Sequence, residues 1–144
     1  MTLLDLDGHR LVLASASPRR SELLRSAGLA FDVVPADIDE TVRPGETPSA
    51  YVARLSQEKA LAVVGRLDGN ALVLAADTTV DVDGRILEKP FDDDDARRML
   101  RLLSGRTHQV HTGVTVSSSA SPTSRGTTIV VETAVTFAEL SDTA

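Results

Sequence analysis

LVLASASPRRSELLRSAG, residues 11–28, joins an apolar run directly to the start of a helix. The run Leu11 to Ala14 does not alternate with polar residues, which is typical of a strand covered on both faces of an α/β sheet. The Ser-Pro pair that follows is an N-cap and N1 signal, so a helix is predicted over Pro18 to Ala27, with Gly28 as its C′ residue. The segment therefore predicts the first strand–helix unit of an α/β domain.

Similar signals continue along the rest of the chain. A second apolar run without alternation, Ala71 to Ala76, predicts another buried strand, and Asp83-Gly84 predicts a hairpin turn after it. The remaining elements follow from helix caps, helical spacing and alternation. They are a short strand over Phe31 to Pro35, a polar loop over Ala36 to Glu46, helices from Thr47 to about Val64 and from Asp92 to Leu103, and strands over Val110 to Val116 and Ile129 to Phe137. No internal repeat or interdomain linker interrupts this pattern, which predicts one domain over residues 1–144.

The composition is that of a globular protein, and it excludes several functional classes. The 144 residues are 42% hydrophobic and 25% charged, and the net charge of −6 argues against non-specific coating of nucleic acid. The absence of cysteine excludes disulfide scaffolds, cysteine-based zinc sites and thiol catalysis. The sequence carries no signal-peptide pattern and no apolar stretch long enough to span a bilayer. We therefore expect a soluble, cytoplasmic domain with no nucleic-acid and no membrane partner.

The segment SASPRR, residues 15–20, is a candidate phosphate site. It places the hydroxyl of Ser15, a helix N-terminus and the guanidinium groups of Arg19 and Arg20 at the end of a predicted buried strand. Free N–H groups at a helix N-terminus favour anions, and arginine matches phosphate oxygens with two parallel donors. A capped helix with two solvated arginines explains the segment equally well, so both interpretations stay open.

Two further residues stand out by their positions. Asp77 is predicted at the carboxyl end of the second apolar strand, where α/β sheets bind ligands and where a carboxylate can activate water or hold a divalent cation. An Asx-turn at the strand end is the alternative. Lys59 falls within the apolar stripe of the second helix, where its charge needs either an anion or a side chain that reaches solvent.

Several other candidates have no distinctive position of their own. Lys89, just before a proline, and Glu40, in the polar loop, fit solvated surface positions, and His108 and His111 fit ordinary strand positions. Taken together, however, the cationic and acidic candidates suit a nucleotide polyphosphate with a divalent metal better than a neutral metabolite. From the residues alone, the sequence predicts an α/β domain that handles phosphate.

Four stretches in this order resemble the Maf family, whose members are linked to septum formation. They are LVLASASPRRSELLRSAGLAFDVVPADIDE, YVARLSQEKA, LAADTTVDVDGRILEKP and LSGRTHQVHTGV. The likeness runs from Leu11 to about Leu140, nearly the whole chain. It implies a two-lobed α/β fold with a mixed sheet, related to the inosine triphosphate pyrophosphatases, with the active site in a cleft.

The resemblance also implies an activity and a set of site residues. Maf proteins are nucleoside triphosphate pyrophosphatases that cleave between the α- and β-phosphates with Mg²⁺ or Mn²⁺. Asp77 matches the family's proton acceptor, which activates the attacking water. The positions that hold phosphate or metal match Ser15, Arg20, Glu40, Lys59 and Lys89, with Glu40 the expected metal ligand.

Substrate choice is also implied by the resemblance. Arg19 and Thr78 match the subgroup that acts on dTTP and UTP, whereas the subgroup acting on 7-methyl-GTP has tryptophan and glutamine there. A third specificity residue, a glutamine in the family's C-terminal part, has no counterpart here, so a C-terminally truncated chain is expected. The resemblance suggests a homodimer. The alternative function is a nucleotide-binding regulator of cell division that does not turn over its ligand.

Overall fold

The computed structural model describes residues 9–120 and 126–141. These residues form one mixed sheet with three helices. In chain order the elements are β1 (Arg10–Leu13), α1 (Pro18–Ser26), β2 (Asp32–Val33), α2 (Pro48–Val64), β3 (Ala71–Val82), β4 (Arg85–Leu87), α3 (Asp93–Leu103), β5 (Thr107–Ser118) and β6 (Thr127–Thr136).

The sheet has the strand order β2-β1-β3-β5-β6, with β4 paired to β3 beside this path. β1 pairs in parallel with both β2 and β3, whereas the β3–β5, β5–β6 and β3–β4 pairs are antiparallel. The mixed α/β sheet that we expected is therefore confirmed. Among the described residues, no helix has the length and apolarity needed to cross a bilayer.

The three helices begin where the sequence predicts, because each has a capping side chain. The hydroxyl oxygen of Ser17 accepts the N–H of Arg20 at 3.4 Å, and that of Thr47 accepts the N–H of Ala50 at 3.1 Å. The carboxylate of Asp92 accepts the N–H of Asp95 at 2.7 Å. These bonds satisfy donors that have no partner within the helix, so the helix starts are fixed locally.

Helix α2 packs across the sheet and forms the main core with it. Val12 of β1, Val63 of α2 and Val73 of β3 are fully buried in this cluster. Gly113 of β5 allows the closest approach, because an added Cβ there would lie 2.3 Å from the carbonyl oxygen of Val52. The helix therefore lies directly on the sheet. This close packing sets how far its inward-facing side chains lie from β3.

Strand β3 is longer than predicted. The sequence predicted its end at Ala76, but the strand continues to Val82. It continues because β5 pairs with it from Leu72 to Asp81, well beyond Leu74, the last residue paired with β1. Asp77 is therefore not at the end of a strand. It lies within β3, just past the end of the parallel β1 partner.

Strand β2 is shorter than predicted. The strand predicted over Phe31 to Pro35 pairs with β1 at only two positions.

The two histidines of β5 are buried. His111 lies between the hydroxyl of Ser49, 3.1 Å from Nδ1, and the carboxylate of Asp81, 3.3 Å from Nε2. His108 packs edge-on against Phe137 with ring centres 4.9 Å apart. Both histidines thus remain structural strand residues.

The polar loop over residues 36–46 is attached to α2 by a buried ion pair. The carboxylate of Glu46 accepts Nε and Nη2 of Arg54 at 2.6 Å and 2.8 Å, and their side chains are only 9% and 15% exposed. Hydrogen bonding from Arg54 lowers the pKa of Glu46 from its ordinary 4.5 to about 2. The ionised form is therefore favoured by folding.

This lowered pKa predicts an acid-dependent loss of stability. Because the folded pKa of Glu46 is depressed, its contribution is complete above pH 4.5 and is lost as the pH falls towards 2. We expect the Tm of the wild type to fall further between pH 5 and pH 2.5 than the Tm of Glu46→Gln, because the glutamine has no carboxylate to protonate. Parallel curves for the two proteins over this range would contradict the prediction.

Candidate active site

Three charged side chains meet where α2 crosses β3. Nζ of Lys59 lies 3.0 Å from Oδ1 of Asp77 and 3.2 Å from Oε1 of Glu40. The lysine side chain is 12% exposed and the Asp77 side chain 10%, whereas that of Glu40 is 44% exposed. Lys59 therefore does not reach out to solvent, the alternative that the sequence left open. It bridges two carboxylates from different parts of the chain.

The environment of Asp77 favours its protonated form. Burial has the largest effect and raises its pKa above the ordinary 3.8, and the charge of Glu40 acts in the same direction. The Lys59 ammonium opposes this by charge and hydrogen bonding, and Arg20 opposes it more weakly. A carboxylate whose pKa is raised above its ordinary value is a stronger base than an ordinary one. Asp77 makes this contact from within a paired strand, so the Asx-turn alternative is wrong.

The SASPRR segment contributes one arginine to the same region. Nη1 of Arg20 donates to Oγ of Ser15 at 3.2 Å, and Nη2 lies 3.5 Å from Oγ1 of Thr78, the residue after Asp77. Ser15 is buried directly after β1 and also accepts the N–H of Ser17 at 3.1 Å. Arg20 thus bridges a residue just after the end of β1 and a residue within β3, whereas Arg19 is exposed.

A cleft of about 360 Å³ opens beside the three charged residues. Glu40 and Asp77 lie in its wall, and Lys89, which follows β4, lines it from another side. Lys89 is exposed, as its position in the sequence suggested, yet it lines the same space as the two carboxylates. The cleft thus combines carboxylates with one lysine in its wall, and Lys59 contacts two of those carboxylates. This combination suits a phosphate chain and a cation together.

A second cavity of about 520 Å³ lies between α1 and the sheet. Its walls are mostly apolar, and Arg19, Arg20 and Thr78 supply polar groups. Thr78 lines both cavities, and its hydroxyl lies 3.0 Å from that of Thr112 on β5. The two spaces therefore adjoin at the residue after Asp77.

Sequence reasoning missed Tyr51, which lines the first cleft and is 7% exposed. Its hydroxyl donates to the carbonyl oxygen of Glu40 at 2.6 Å. Helical spacing could have found it, because residues 51, 55 and 59 follow one another at intervals of four on α2. Thr112 was also missed, since a strand threonine carries no local signal.

The carboxylates of Glu40 and Asp77 could hold a divalent cation. Both contact the same lysine nitrogen within 3.2 Å, and both line the cleft. In the described part of the chain, no group of three or more His, Asp or Glu side chains could hold a metal. One of the two carboxylates, with phosphate oxygens and water as the other ligands, fits a Mg²⁺ or Mn²⁺ ion while the second is left to take a proton.

Comparisons with known proteins show what the chain is similar to. A family model described as Maf-like protein matches residues 10–144. A dTTP/UTP pyrophosphatase of Anaeromyxobacter dehalogenans (strain 2CP-C) is 56% identical over 92% of this chain and 66% of its own length. A dTTP/UTP pyrophosphatase of Vibrio vulnificus (strain YJ016) is 50% identical, over 92% and 69%. The chain thus spans about two thirds of the length of these relatives.

Two solved structures share the fold. The Ham1 protein of Staphylococcus aureus aligns with a TM-score of 0.52 at 18% identity, over 88% of this chain and 69% of its own. A HAM1 protein from Coxiella burnetii aligns with a TM-score of 0.51 at 18% identity, over 88% and 70%. At this level of identity the likeness concerns the arrangement of strands and helices alone.

Proposed function

Since this chain belongs to the Maf family, as the match over residues 10–144 and the identities of about 50% to 56% establish, we propose that it is a nucleoside triphosphate pyrophosphatase. Its substrates are dTTP and UTP, and its products are the nucleoside monophosphate and pyrophosphate. The observation that carries the proposal is the placement of Lys59 between Asp77 and Glu40 beside a cleft that Lys89 also lines. The two relatives, both dTTP/UTP pyrophosphatases by name, support the same substrates.

Asp77 is the proton acceptor in this reaction. It removes a proton from a water molecule, whose oxygen forms a bond to the α-phosphorus. The bond from the α-phosphorus to the oxygen that bridges to the β-phosphate breaks, and pyrophosphate leaves with that electron pair. The raised pKa of Asp77 supports this role, and contact with Lys59 fixes where its carboxylate points.

Cationic side chains offset the charge that builds on the leaving pyrophosphate. Lys59, Lys89 and Arg20 are the residues available for this at the cleft and its border, with Ser15 holding Arg20 in place. In phosphoryl transfer the protein contributes mainly positioning and charge stabilisation, so these contacts carry much of the rate enhancement.

Glu40 binds the divalent cation, Mg²⁺ or Mn²⁺, in this proposal. A bound divalent cation supplies charge neutralisation and polarises the phosphoryl oxygens. The partial exposure of Glu40, 44% for its side chain, leaves it open to an ion that arrives with the triphosphate. Lys59 contacts Asp77 separately, at 3.0 Å, so Glu40 would be able to hold the ion while Asp77 takes the proton.

Arg19 and Thr78 select the base. The second cavity, with its apolar walls and these two polar residues, adjoins the first cleft at Thr78, which places room for a base next to the phosphate site. Flat apolar walls with a few polar groups are typical of sites for such ring systems.

Arg19→Trp combined with Thr78→Gln is expected to reduce the preference for dTTP and UTP over 7-methyl-GTP. Both substitutions change walls of the second cavity and leave Asp77 and Lys59 in place, so base selection changes more than catalysis does. Competition between dTTP and 7-methyl-GTP in one reaction gives the ratio of kcat/KM directly. An unchanged ratio would remove these residues from base selection.

A pyrophosphate-release assay across all nucleoside triphosphates, with Mg²⁺ and with Mn²⁺, tests the proposed function. We expect dTTP and UTP to be hydrolysed fastest and the reaction to stop when the metal is chelated. Tight nucleotide binding without pyrophosphate release would instead favour the alternative, a nucleotide-binding regulator of cell division.

A further inference from the structure

Glu40 lies on a loop that has neither helix nor strand over residues 36–46, apart from one turn. Loops hold functional groups less precisely than helices or strands do, and a metal ligand must be held to within a fraction of an ångström. Two apolar side chains of the loop, Ile38 and Val42, pack against a cluster that contains Tyr51 and Leu55 of α2. This packing attaches the loop to α2 on both sides of Glu40, but it does not by itself fix the backbone at Glu40.

Tyr51 makes the first polar contact to that backbone. Its hydroxyl donates to the carbonyl oxygen of Glu40 at 2.6 Å. Tyr51 is only 7% exposed, so this contact is shielded from bulk solvent.

Arg54 makes the second contact, one helical turn further along α2. Nη2 donates to the carbonyl oxygen of Thr41 at 3.0 Å, while Nε and Nη2 together hold both carboxylate oxygens of Glu46. A third group, the carboxylate of Glu58, accepts Nη1 at 3.0 Å. Only a guanidinium has enough donors in a fixed plane to make these contacts at once, and a lysine ammonium does not.

These contacts hold two consecutive carbonyl groups, those of Glu40 and Thr41, from the helix that carries Lys59. We infer that Tyr51 and Arg54 are positioning residues that set the place of the Glu40 carboxylate relative to Lys59 and thereby the affinity for the divalent cation. The inference rests on the proposed function, because it assigns the cation to Glu40. Arg54 does not line the cleft, so it acts through the loop rather than by touching the substrate.

The test measures Mn²⁺ binding by the loss of the free-ion EPR signal at a fixed concentration of a non-hydrolysable dTTP analogue, after subtraction of the loss that the analogue causes without protein. We expect Arg54→Lys to raise the Kd for Mn²⁺ about tenfold, the usual effect of losing a group that orients a metal ligand, and Tyr51→Phe to raise it several-fold. Arg66→Lys is the matched control. Arg66 also donates to a carbonyl, that of Pro35 at 2.9 Å, five residues before Glu40. It therefore shows whether any arginine contact beside the loop has the same effect, or only the contact at Thr41.

Combination with Glu40→Gln shows whether the effect passes through Glu40. In that background Arg54→Lys and Tyr51→Phe are expected to cause no further loss, since the ligand that they position has already gone. A Kd that stays within twofold of the wild type, or a loss of equal size in the Glu40→Gln background, would overturn the inference. If Arg54→Lys lowers the Tm too far to be studied, Tyr51→Phe decides on the same criteria.

The two proposals fail in different ways. Wild-type protein that releases no pyrophosphate from dTTP or UTP overturns the proposed function. Wild-type protein that is active, but whose Mn²⁺ affinity responds to Arg54→Lys no more than to Arg66→Lys, overturns only the positioning role.

Discussion

Asp77→Asn is expected to lower kcat for dTTP by roughly 10²- to 10⁴-fold, the usual contribution of a general base. The amide keeps the size of the carboxylate and can still accept a hydrogen bond from Lys59, but it cannot take a proton from water. Nucleotide binding should stay within a few-fold, because the cationic groups around the cleft are unchanged. Burial raises the pKa of Asp77, so folding disfavours its ionised form, and the neutral amide should not lower the Tm at pH 8.

Asp81→Asn is the matched control for this experiment. Asp81 also lies on β3 and is largely buried, with a side chain 14% exposed, but it contacts His111 and does not line the cleft. We expect it to reduce thermal stability while kcat stays close to that of the wild type. A variant at Asp77 that keeps most of its kcat would remove this residue from the chemical step.

Lys59→Met is expected to have the second largest effect, on both KM and the pH dependence of the reaction. Methionine fits the volume of the lysine stem, but it leaves Asp77 and Glu40 facing each other without the ammonium between them. Because Lys59 lowers the pKa of Asp77, its loss raises that pKa further. The rise of kcat/KM with pH, which follows ionisation of the base, should therefore move to higher pH, and KM for dTTP should increase.

Gln57→Met provides the control, since it places methionine on the same helix two residues away. Gln57 contacts Thr128 on β6 at 3.1 Å and takes no part in the cleft. Its KM and pH profile should match the wild type. If Lys59→Met changes neither KM nor the pH profile, the lysine serves only to neutralise two carboxylates in the fold.

The sequence was most informative where structure is decided locally. The starts of α1, α2 and α3 were predicted because each cap is set by a side chain and a backbone group three residues apart. The length of β3 was underestimated because it depends on a partner distant in sequence. The apolar run ends before Asp77, yet β5 pairs with β3 as far as Asp81.

The candidate site shows the same contrast between features decided locally and features that depend on residues distant in sequence. Helical spacing placed Lys59 in an apolar stripe and so indicated that it needs an anion, but it could not say which one. Glu40 lies in a loop without periodicity, and its approach to Lys59 depends on how the loop packs on α2. The resemblance to a family supplied Glu40 as a site residue, whereas the contacts of Arg54 and Tyr51 that hold it needed the structure.

Hydrolysis of dTTP in ¹⁸O-labelled water, followed by mass analysis of the products after a single turnover, tests the central claim most directly. If the water activated by Asp77 attacks the α-phosphorus, the products are dTMP carrying one ¹⁸O atom and unlabelled pyrophosphate. The appearance of dTDP with inorganic phosphate, of label in the pyrophosphate, or of no product at all would contradict the account.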